Sequence, residues 1–298
     1  MYFSQPGNQN WLTFIIFIVF LNIPTFSYAD PALWKLDGEH QNSIFLFGSI
    51  HVANQSMYPL GDDVEKAFKQ SDILVVEVDE AQVDQVKLQQ LLMSRGFYAG
   101  TETIKDHVSS KTFELLQQLL ADTGIPYVTV ARMKPGIIAL TLTVAKIVKM
   151  GYSPELGIDR HFMQLARGNK EIQQLETSDE QINLLLSFSN DDLILKHTLV
   201  SLNELPEMIA DLIQSWKSGD EKRLEKIMLT DQINEHPEFK KIMERLIDDR
   251  NETMTQKIQE MMKSNKNYFV VVGTGHLVGK KGIVSLLREQ SIDVKRVN

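Results

Sequence analysis

The sequence contains no cysteine among its 298 residues. Disulfide bonds, a thiolate nucleophile and cysteine-ligated zinc are therefore excluded. Any metal must be held by histidine, aspartate, glutamate or backbone oxygen atoms. The sequence also lacks a cluster of lysine and arginine, and its formal net charge is −8. Both features argue against a nucleic-acid-binding protein, because phosphate contacts need clustered basic side chains.

Charged side chains are absent from the first 29 residues, which include the apolar run "WLTFIIFIVFLNI". This run has the length of a signal-peptide hydrophobic region and is short for a membrane span. Ser27 and Ala29 are small residues at positions −3 and −1 before Asp30. We therefore interpret residues 1–29 as a signal peptide cleaved after Ala29 and predict a periplasmic or secreted protein. An uncleaved membrane anchor is the alternative, because no Lys or Arg precedes the run.

Several familiar catalytic and nucleotide-binding motifs are also missing. The sequence has no His-Glu-x-x-His, no Gly-x-Ser-x-Gly and no EF-hand loop. The segment "GTGHLVGKK" is rich in glycine, but it lacks the Gly-Lys-Ser/Thr ending of a phosphate-binding loop. Nucleotide binding is therefore disfavoured.

Residues 30–298 are interpreted as a single domain with an α/β fold. Strand and helix patterns alternate at both ends of this region, and about residues 178–264 have a helical pattern almost throughout. We predict a mixed central sheet flanked by helices, built from two βα-like halves with a helical insertion at about 178–264. The segment "IPYVTV" is predicted as a further short strand. Thr177 and Glu180 form a capping-box pattern that predicts the start of a helix.

The segment "DILVVEVDE" is predicted to be a strand that is buried on both faces. Apolar residues occupy alternating positions on both sides of it. Such a strand belongs in the middle of a parallel or mixed sheet that is covered by helices. Glu77 falls inside this apolar segment, where an ionised carboxylate is costly unless it is paired or bound to metal.

Two histidines stand three residues after a glycine at the ends of predicted strands. His51 lies in "FLFGSIHVAN" and His276 in "VVVGTGHLVG". The carboxyl ends of sheet strands are where α/β proteins place their sites, so we expect both histidines to meet Glu77 there. A hydrogen-bonded structural histidine is the alternative for each one taken singly. The three residues together predict a functional site.

Arg250 and Asp159 are further candidates for this site. Arg250 lies on the apolar stripe of a predicted helix, so it points toward the core or a crevice. It is either a buried partner of an acid such as Glu77 or Asp79, or it binds an anionic group or a transition-state oxyanion. Asp159 near a helix start either serves the helix dipole or binds metal.

The chain resembles the TraB/GumN family, which includes the Tiki proteases. The resemblance is carried by "FGSIHVA", "YPL", "LVVEVD", "GIDRHFMQLA" followed by "LET", "DRN" and "VGTGHLVGKKGIVSLL". It implies an α/β fold shared more remotely with erythromycin esterases and a group of haem-binding lipoproteins. It also implies an active site at His51, Glu77 and His276, with Arg250 and Asp159 as plausible further members. Tiki-like members are metal-dependent proteases that use manganese or cobalt.

The first functional hypothesis is an exported metal-dependent hydrolase acting on a peptide or another small or polymeric substrate. Imidazole and carboxylate ligands suit a divalent ion such as Mn, Co, Zn or Fe. In this hypothesis His51, Glu77, His276 and Asp159 are the candidate metal ligands, and His51, Glu77, His276 and Arg250 are the catalytic residues. The alternatives are a non-catalytic periplasmic protein that binds haem or polysaccharide and an esterase that uses His51 as a base without metal.

Overall fold

A computed structural model describes residues 29–298, which contain a six-stranded mixed sheet in the order β4-β3-β5-β2-β1-β6. The strands are β1 (Leu33–Asp37), β2 (Ser43–Ser49), β3 (Ile73–Val76), β4 (Glu171–Gln174), β5 (Tyr268–Gly273) and β6 (Lys295–Arg296). Many helices flank this sheet, so the predicted α/β fold with a mixed central sheet is confirmed.

The helices are α1 (Asp62–Gln70), α2 (Gln85–Arg95), α3 (Ser110–Thr123), α4 (Tyr127–Val130), α5 (Pro135–Lys149), α6 (Ile158–Ala166), α7 (Ser178–Leu185), α8 (Asp191–Lys217), α9 (Glu221–Glu225), α10 (Asp231–Glu235), α11 (Lys240–Met243), α12 (Asp249–Met262), α13 (Thr274–Leu277) and α14 (Ile283–Glu289). Two π-helical segments, Lys226–Thr230 and Glu244–Asp248, lie between α9 and α10 and between α11 and α12. Residues 178–264 are therefore largely helical, as predicted. The capping box is present, since Thr177 Oγ1 accepts from the Glu180 N–H and Glu180 Oε2 accepts from the Thr177 N–H.

Four neighbouring strands run parallel and place their carboxyl ends at one edge of the sheet. β5 pairs in parallel with β2 on one side and with β3 on the other, and β3 pairs in parallel with β4. β1 is antiparallel to β2, and β6 is antiparallel to β1. Every residue of β3 is buried, as expected for a strand that is covered on both faces.

Each face of the sheet supports its own apolar core. On one face the ring of Phe47 lies 5.7 Å from those of Phe162 and Phe269, and Phe68 packs on the same group. Phe47 stacks on Phe269 and meets Phe162 edge-on, and both are arrangements that aromatic rings prefer. On the opposite face α12, through residues such as Ile258, and α14 cover Trp34, Leu46, Val75 and Val270. The core therefore holds the parallel strands rigidly from both sides.

A further apolar cluster lies within the helices. It joins α3, α5 and α8 through residues that include Leu116, Leu120, Ile138, Leu142 and Leu199. This cluster anchors the helices that follow β3 to the long helix that follows β4.

The predicted strand "IPYVTV" is wrong, because Tyr127–Val130 form α4 instead. Gly124 ends α3 in the left-handed conformation at φ 74°, and Pro126, two residues later, is the N-cap residue of α4. Val128 is 81% exposed while Val130 is buried. Residues two apart share one face of a strand, so this difference fits a helix and not a half-buried strand.

The predicted signal segment lies outside the described residues, except for Ala29. Ala29 is buried, its N–H donates to Pro59 O at 3.2 Å, and its carbonyl accepts from the Gly61 N–H at 2.7 Å. Export and cleavage after Ala29 stay predictions. From residue 29 to the end of the chain, no helix is both long enough and apolar enough to cross a membrane.

Two buried tryptophans provide a test of how the end of β2 is held. The indole N–H of Trp216 donates to Gly48 O at 2.8 Å, whereas within residues 29–298 the Trp34 N–H has no partner. We expect Trp216→Phe to lower the free energy of unfolding by about 1–3 kcal/mol more than Trp34→Phe, because a buried carbonyl loses its donor. Urea denaturation of both variants measures this difference, and equal losses would contradict it.

Candidate active site

The carboxyl ends of the parallel strands bring the candidate residues together. His51 follows β2 by two residues, and Glu176 follows β4 by two. Glu77 is the first residue after β3, since this strand ends at Val76 and does not extend through Glu77 as predicted. The ladder nevertheless continues one step, because the Glu176 N–H donates to Glu77 O at 2.8 Å. His276 lies in α13, directly after β5.

Glu77 lies at the centre of the group with only 8% of its side chain exposed. Its Oε1 accepts from the Gly273 N–H at 2.6 Å, and its Oε2 accepts from Arg250 Nη2 at 2.7 Å. Burial alone would raise the pKa of Glu77, but His276, His51, Arg250 and the Gly273 N–H lower it to about 2. At neutral pH His276 is uncharged, and the protonated His51, Arg250 and the Gly273 N–H keep Glu77 ionised.

His51 combines an accessible ring with a carboxylate partner. Its side chain is 57% exposed, its Nδ1 lies 3.3 Å from Asp159 Oδ1, and its Nε2 lies 3.7 Å from Glu77 Oε1. The surrounding protein lowers the pKa of His51 by desolvation, but Asp159 and Glu77 outweigh this effect and raise the pKa to about 9. Among the described residues Asp159 Oδ1 is buried without a hydrogen bond of regular geometry. His51 is therefore the group that can satisfy it.

The approach of Asp159 to His51 depends on a glycine. A Cβ at position 157 would lie 2.5 Å from His51 O and 3.1 Å from Asp159 Oδ1. The Ile158 N–H donates to Ile50 O at 3.0 Å and joins the start of α6 to the loop after β2. Asp159 thus lies behind His51, on the side of Nδ1, where carboxylates orient metal-binding histidines.

His276 is buried and has an amide partner. Its Nδ1 lies 2.6 Å from Asn251 Oδ1, and Asn251 Nδ2 donates to Lys281 O at 2.8 Å. This network orients the amide so that its oxygen faces the imidazole, and the His276 Nδ1–H donates to it. The free Nε2 then faces Glu77 Oε1 at 3.9 Å. Burial is the largest cause that lowers the pKa of His276 to about 4, so this ring is neutral at pH 7.

Arg250 binds two carboxylates on the side of Glu77 that faces away from the histidines. Its Nη2 contacts Glu77 Oε2 at 2.7 Å and Glu176 Oε2 at 2.6 Å, and its Nε donates to Glu176. Nη1 donates to Leu246 O at 3.0 Å, so every guanidinium nitrogen has a protein partner. This geometry favours the interpretation of Arg250 as a buried partner of Glu77. The other suggested partner, Asp79, instead caps the 3-10 turn Glu80–Gln82.

A π-helical segment ends directly before Arg250 and Asn251. Glu244–Asp248 is π-helical, and α12 begins at Asp249. A π turn shifts the helical phase of the residues that follow it and is frequent at functional sites. Here it precedes the two side chains that contact Glu77 and His276.

Gln181 is a member of the site that the sequence did not reveal. Its Nε2 lies 3.1 Å from Glu176 Oε2 and 3.4 Å from Glu77 Oε2. The capping box at Thr177 predicts a helix start there, so Glu176 is expected between a strand and a helix. No short sequence pattern marks Gln181, because only the packing of α7 brings its side chain to the site.

Gly273 leaves the space between the two histidines and Glu77 open. A Cβ at this position would lie 3.2 Å from Glu77 Oε1, 3.3 Å from His51 Nε2 and 3.6 Å from His276 Cδ2. His51 Nε2 and Glu77 Oε1 therefore border this space beside the ring of His276, whose Nε2 lies 3.9 Å from the same oxygen. These atoms have the chemistry of a divalent-metal donor set.

The donor atoms of His51, Glu77 and His276 do not form a compact group. Among the described residues, the group of three candidate ligands with all atoms within 4.8 Å of one another is Glu204, Glu235 and His236. His51, Glu77 and His276 do not meet this distance as a set. His51 is the exposed member, so its ring is the one with room to move.

Residues 32–296 match the family model of the TraB/PrgY/gumN family. The chain belongs to this family. The resemblance seen in its motifs is thereby confirmed over nearly the whole described region. Searches of curated proteins and of solved structures found no match.

Arg250→Met tests the charge balance of the site. We expect it to lower the free energy of unfolding by about 3–5 kcal/mol at pH 7, because Glu77 and Glu176 remain buried without their cation. The pKa of Glu77 lies below its ordinary value in the fold, so its contribution to stability is present above pH 4.5 and is lost as the pH falls toward 2. The deficit of the variant should therefore shrink on acidification.

Urea denaturation at pH 7 and at pH 4 measures this deficit. Arg245→Met is the matched control, because Arg245 lies on the same helical stretch but donates to the exposed Ser187 hydroxyl. An equal loss in both variants would contradict the role of Arg250 as the cation that balances Glu77.

Proposed function

We propose that the protein is an exported, metal-dependent hydrolase that cleaves peptide bonds. The observation that carries the proposal is the convergence of two imidazole Nε2 atoms on Glu77 Oε1, at 3.7 and 3.9 Å. Each imidazole is oriented at its Nδ1 by a different side chain, as is usual for histidines that bind metal. Family membership supports the proposal but does not by itself specify a reaction.

His51, Glu77 and His276 would hold the cation. A bound divalent cation lowers the pKa of a water molecule and so supplies the nucleophile at neutral pH. The protein contributes a fixed carboxylate, a neutral buried imidazole and an accessible imidazole. Gly273 keeps the space between them free, and its N–H fixes the carboxylate.

The remaining residues position these groups. Asp159 orients His51 by contacting its Nδ1, and Asn251 orients His276 through the same ring nitrogen. Arg250 and Gln181 hold Oε2 of Glu77, which turns Oε1 toward the histidines. Substrate reaches the group from the side of His51, the exposed member.

A hydrolase that uses His51 as a base without metal is the second candidate. Two observations favour it: Arg250 already neutralises Glu77, and the three donors are not mutually within 4.8 Å. The exposed His51 next to Asp159 has the arrangement of an oriented acid–base group, which acts as a general base as the pH rises toward its pKa of about 9. Hydrolysis that survives a chelator distinguishes this candidate from the first.

Metal content is the decisive measurement. We expect the protein, purified without a His tag and supplied with Mn, Co, Zn or Fe, to contain close to one equivalent of metal by mass spectrometry. His51→Ala and His276→Ala should lose this metal and the peptidase activity while remaining folded, because each removes one donor. Cleavage of a broad peptide library provides the activity measurement.

His236→Ala is the matched control, because His236 belongs to the group with Glu204 and Glu235. It should keep both metal and activity. Metal lost only in His236→Ala would assign the ion to that group and contradict the proposed site. A protein that takes up none of the four metals, yet hydrolyses substrate in the presence of a chelator, would support the second candidate instead.

Gly273→Ala and Gly275→Ala form a second test that leaves every donor intact. The added methyl of Gly273→Ala crowds Glu77 and His51, so we expect kcat/KM to fall about 100-fold by misplacement of the reacting groups. The methyl of Gly275→Ala meets the flexible ends of Met228 and Ile247, and its effect should be small. Equal activities of the two variants would argue against a reaction in this space.

A further inference from the structure

An apolar cavity of about 400 Å³ adjoins the candidate active site. It lies between the 3-10 turn Glu80–Gln82 and helices α2, α5 and α7. Its apolar lining consists of Val83, Leu88, Leu140, Ile182 and Leu185. The volume falls within the range of about 300–1,000 Å³ that is typical of small-molecule sites.

The apolar side chains around this cavity are only partly buried. Leu140 is 42% exposed, and within the described part of the chain none of the residues of α2 is buried. On the same helix Val86 and Met93 are 66% and 67% exposed. An exposed apolar concavity of this kind marks a surface that receives a ligand or a partner.

Two separate contacts join the cavity to the catalytic group. Gln181 lines the cavity, and its Nε2 lies 3.4 Å from Glu77 Oε2. Glu80 also lines the cavity, and its carboxylate lies 3.2 Å from Arg160, the residue after Asp159. The cavity therefore adjoins the Oε2 side of Glu77 through Gln181, and Glu80 links its rim to the helix that carries Asp159.

A second cavity of about 270 Å³ lies on the other side of Gln181. Its lining is mostly charged and includes Glu176, Arg245, Asp249, Arg250 and Lys257. Gln181 is shared by both cavities. A chain-like substrate that crosses Gln181 thus meets an apolar surface on one side and a charged surface on the other.

We propose that the apolar cavity is a specificity pocket of the enzyme and receives a large apolar side chain of the peptide substrate, of the size of leucine or phenylalanine, on the Oε2 side of Glu77. This inference rests on the proposed function. Continuity with Glu77 through Gln181 favours a substrate side chain over a second copy of the protein or a lipid surface.

Leu140→Lys tests the pocket, with Val144→Lys as its control. Both residues lie on α5 and both are exposed, Val144 by 50%, but only Leu140 lines the cavity. With peptides that differ at one position, we expect the parent to prefer phenylalanine over alanine. Leu140→Lys should reduce kcat/KM for the phenylalanine peptide about tenfold or more and affect the alanine peptide less, because only the large side chain fills the pocket. Val144→Lys should retain the preference.

A binding measurement separates failure of the pocket from failure of the proposed reaction. N-acetyl-phenylalaninamide and N-acetyl-alaninamide are titrated into the parent, the two lysine variants and Glu77→Gln. Tighter binding of the phenylalanine amide to the parent and to Glu77→Gln, lost only in Leu140→Lys, supports the pocket even if no peptide is cleaved. Cleavage without any apolar preference overturns the pocket and leaves the reaction intact. Absence of binding, with an oligomeric state that changes in Leu140→Lys, overturns it in favour of a contact between copies.

Discussion

The site depends on keeping one buried carboxylate ionised. A lone charge at the position of Glu77 would cost several kcal/mol in desolvation, so the fold must supply compensation from other elements. β5 supplies the Gly273 N–H, α12 supplies Arg250, and α7 supplies Gln181. Arg250 in turn needs a second acid, Glu176, which places the end of β4 next to the end of β3. The positions of two strands and two helices are thus linked through one side chain.

Much of this arrangement follows from local sequence signals. The doubly apolar β3, the strand before each Gly-x-x-His motif and the capping box at Thr177 are all features of short segments. Once the strands are taken as parallel, their carboxyl ends must share an edge, and His51, Glu77 and His276 converge without further information. The same reasoning carries Arg250 to the site, because its helical stripe identifies a buried face.

The remainder depends on tertiary packing that no short segment encodes. Gln181 lies one turn into α7 among polar neighbours, and only the docking of that helix brings its amide to Glu77. The error at "IPYVTV" has a related cause, since its β-branched residues favour a strand but the left-handed Gly124 and the following Pro126 begin a helix there. The local backbone geometry therefore outweighs the strand propensity of these residues, and the apolar Val130 is buried among helices.

The two Gly-x-x-His motifs look equivalent in sequence, yet their histidines are chemically different. Both imidazoles face the same Glu77 oxygen, so this carboxylate cannot distinguish them. The difference arises at Nδ1, where His51 meets the carboxylate of Asp159 and His276 meets the amide of Asn251. A carboxylate favours the protonated ring and an amide does not, and burial adds to the contrast. The partner behind each ring, rather than the repeated motif, therefore sets its basicity, and the imidazole of His51 binds a proton or a cation more strongly than a ring without a carboxylate partner.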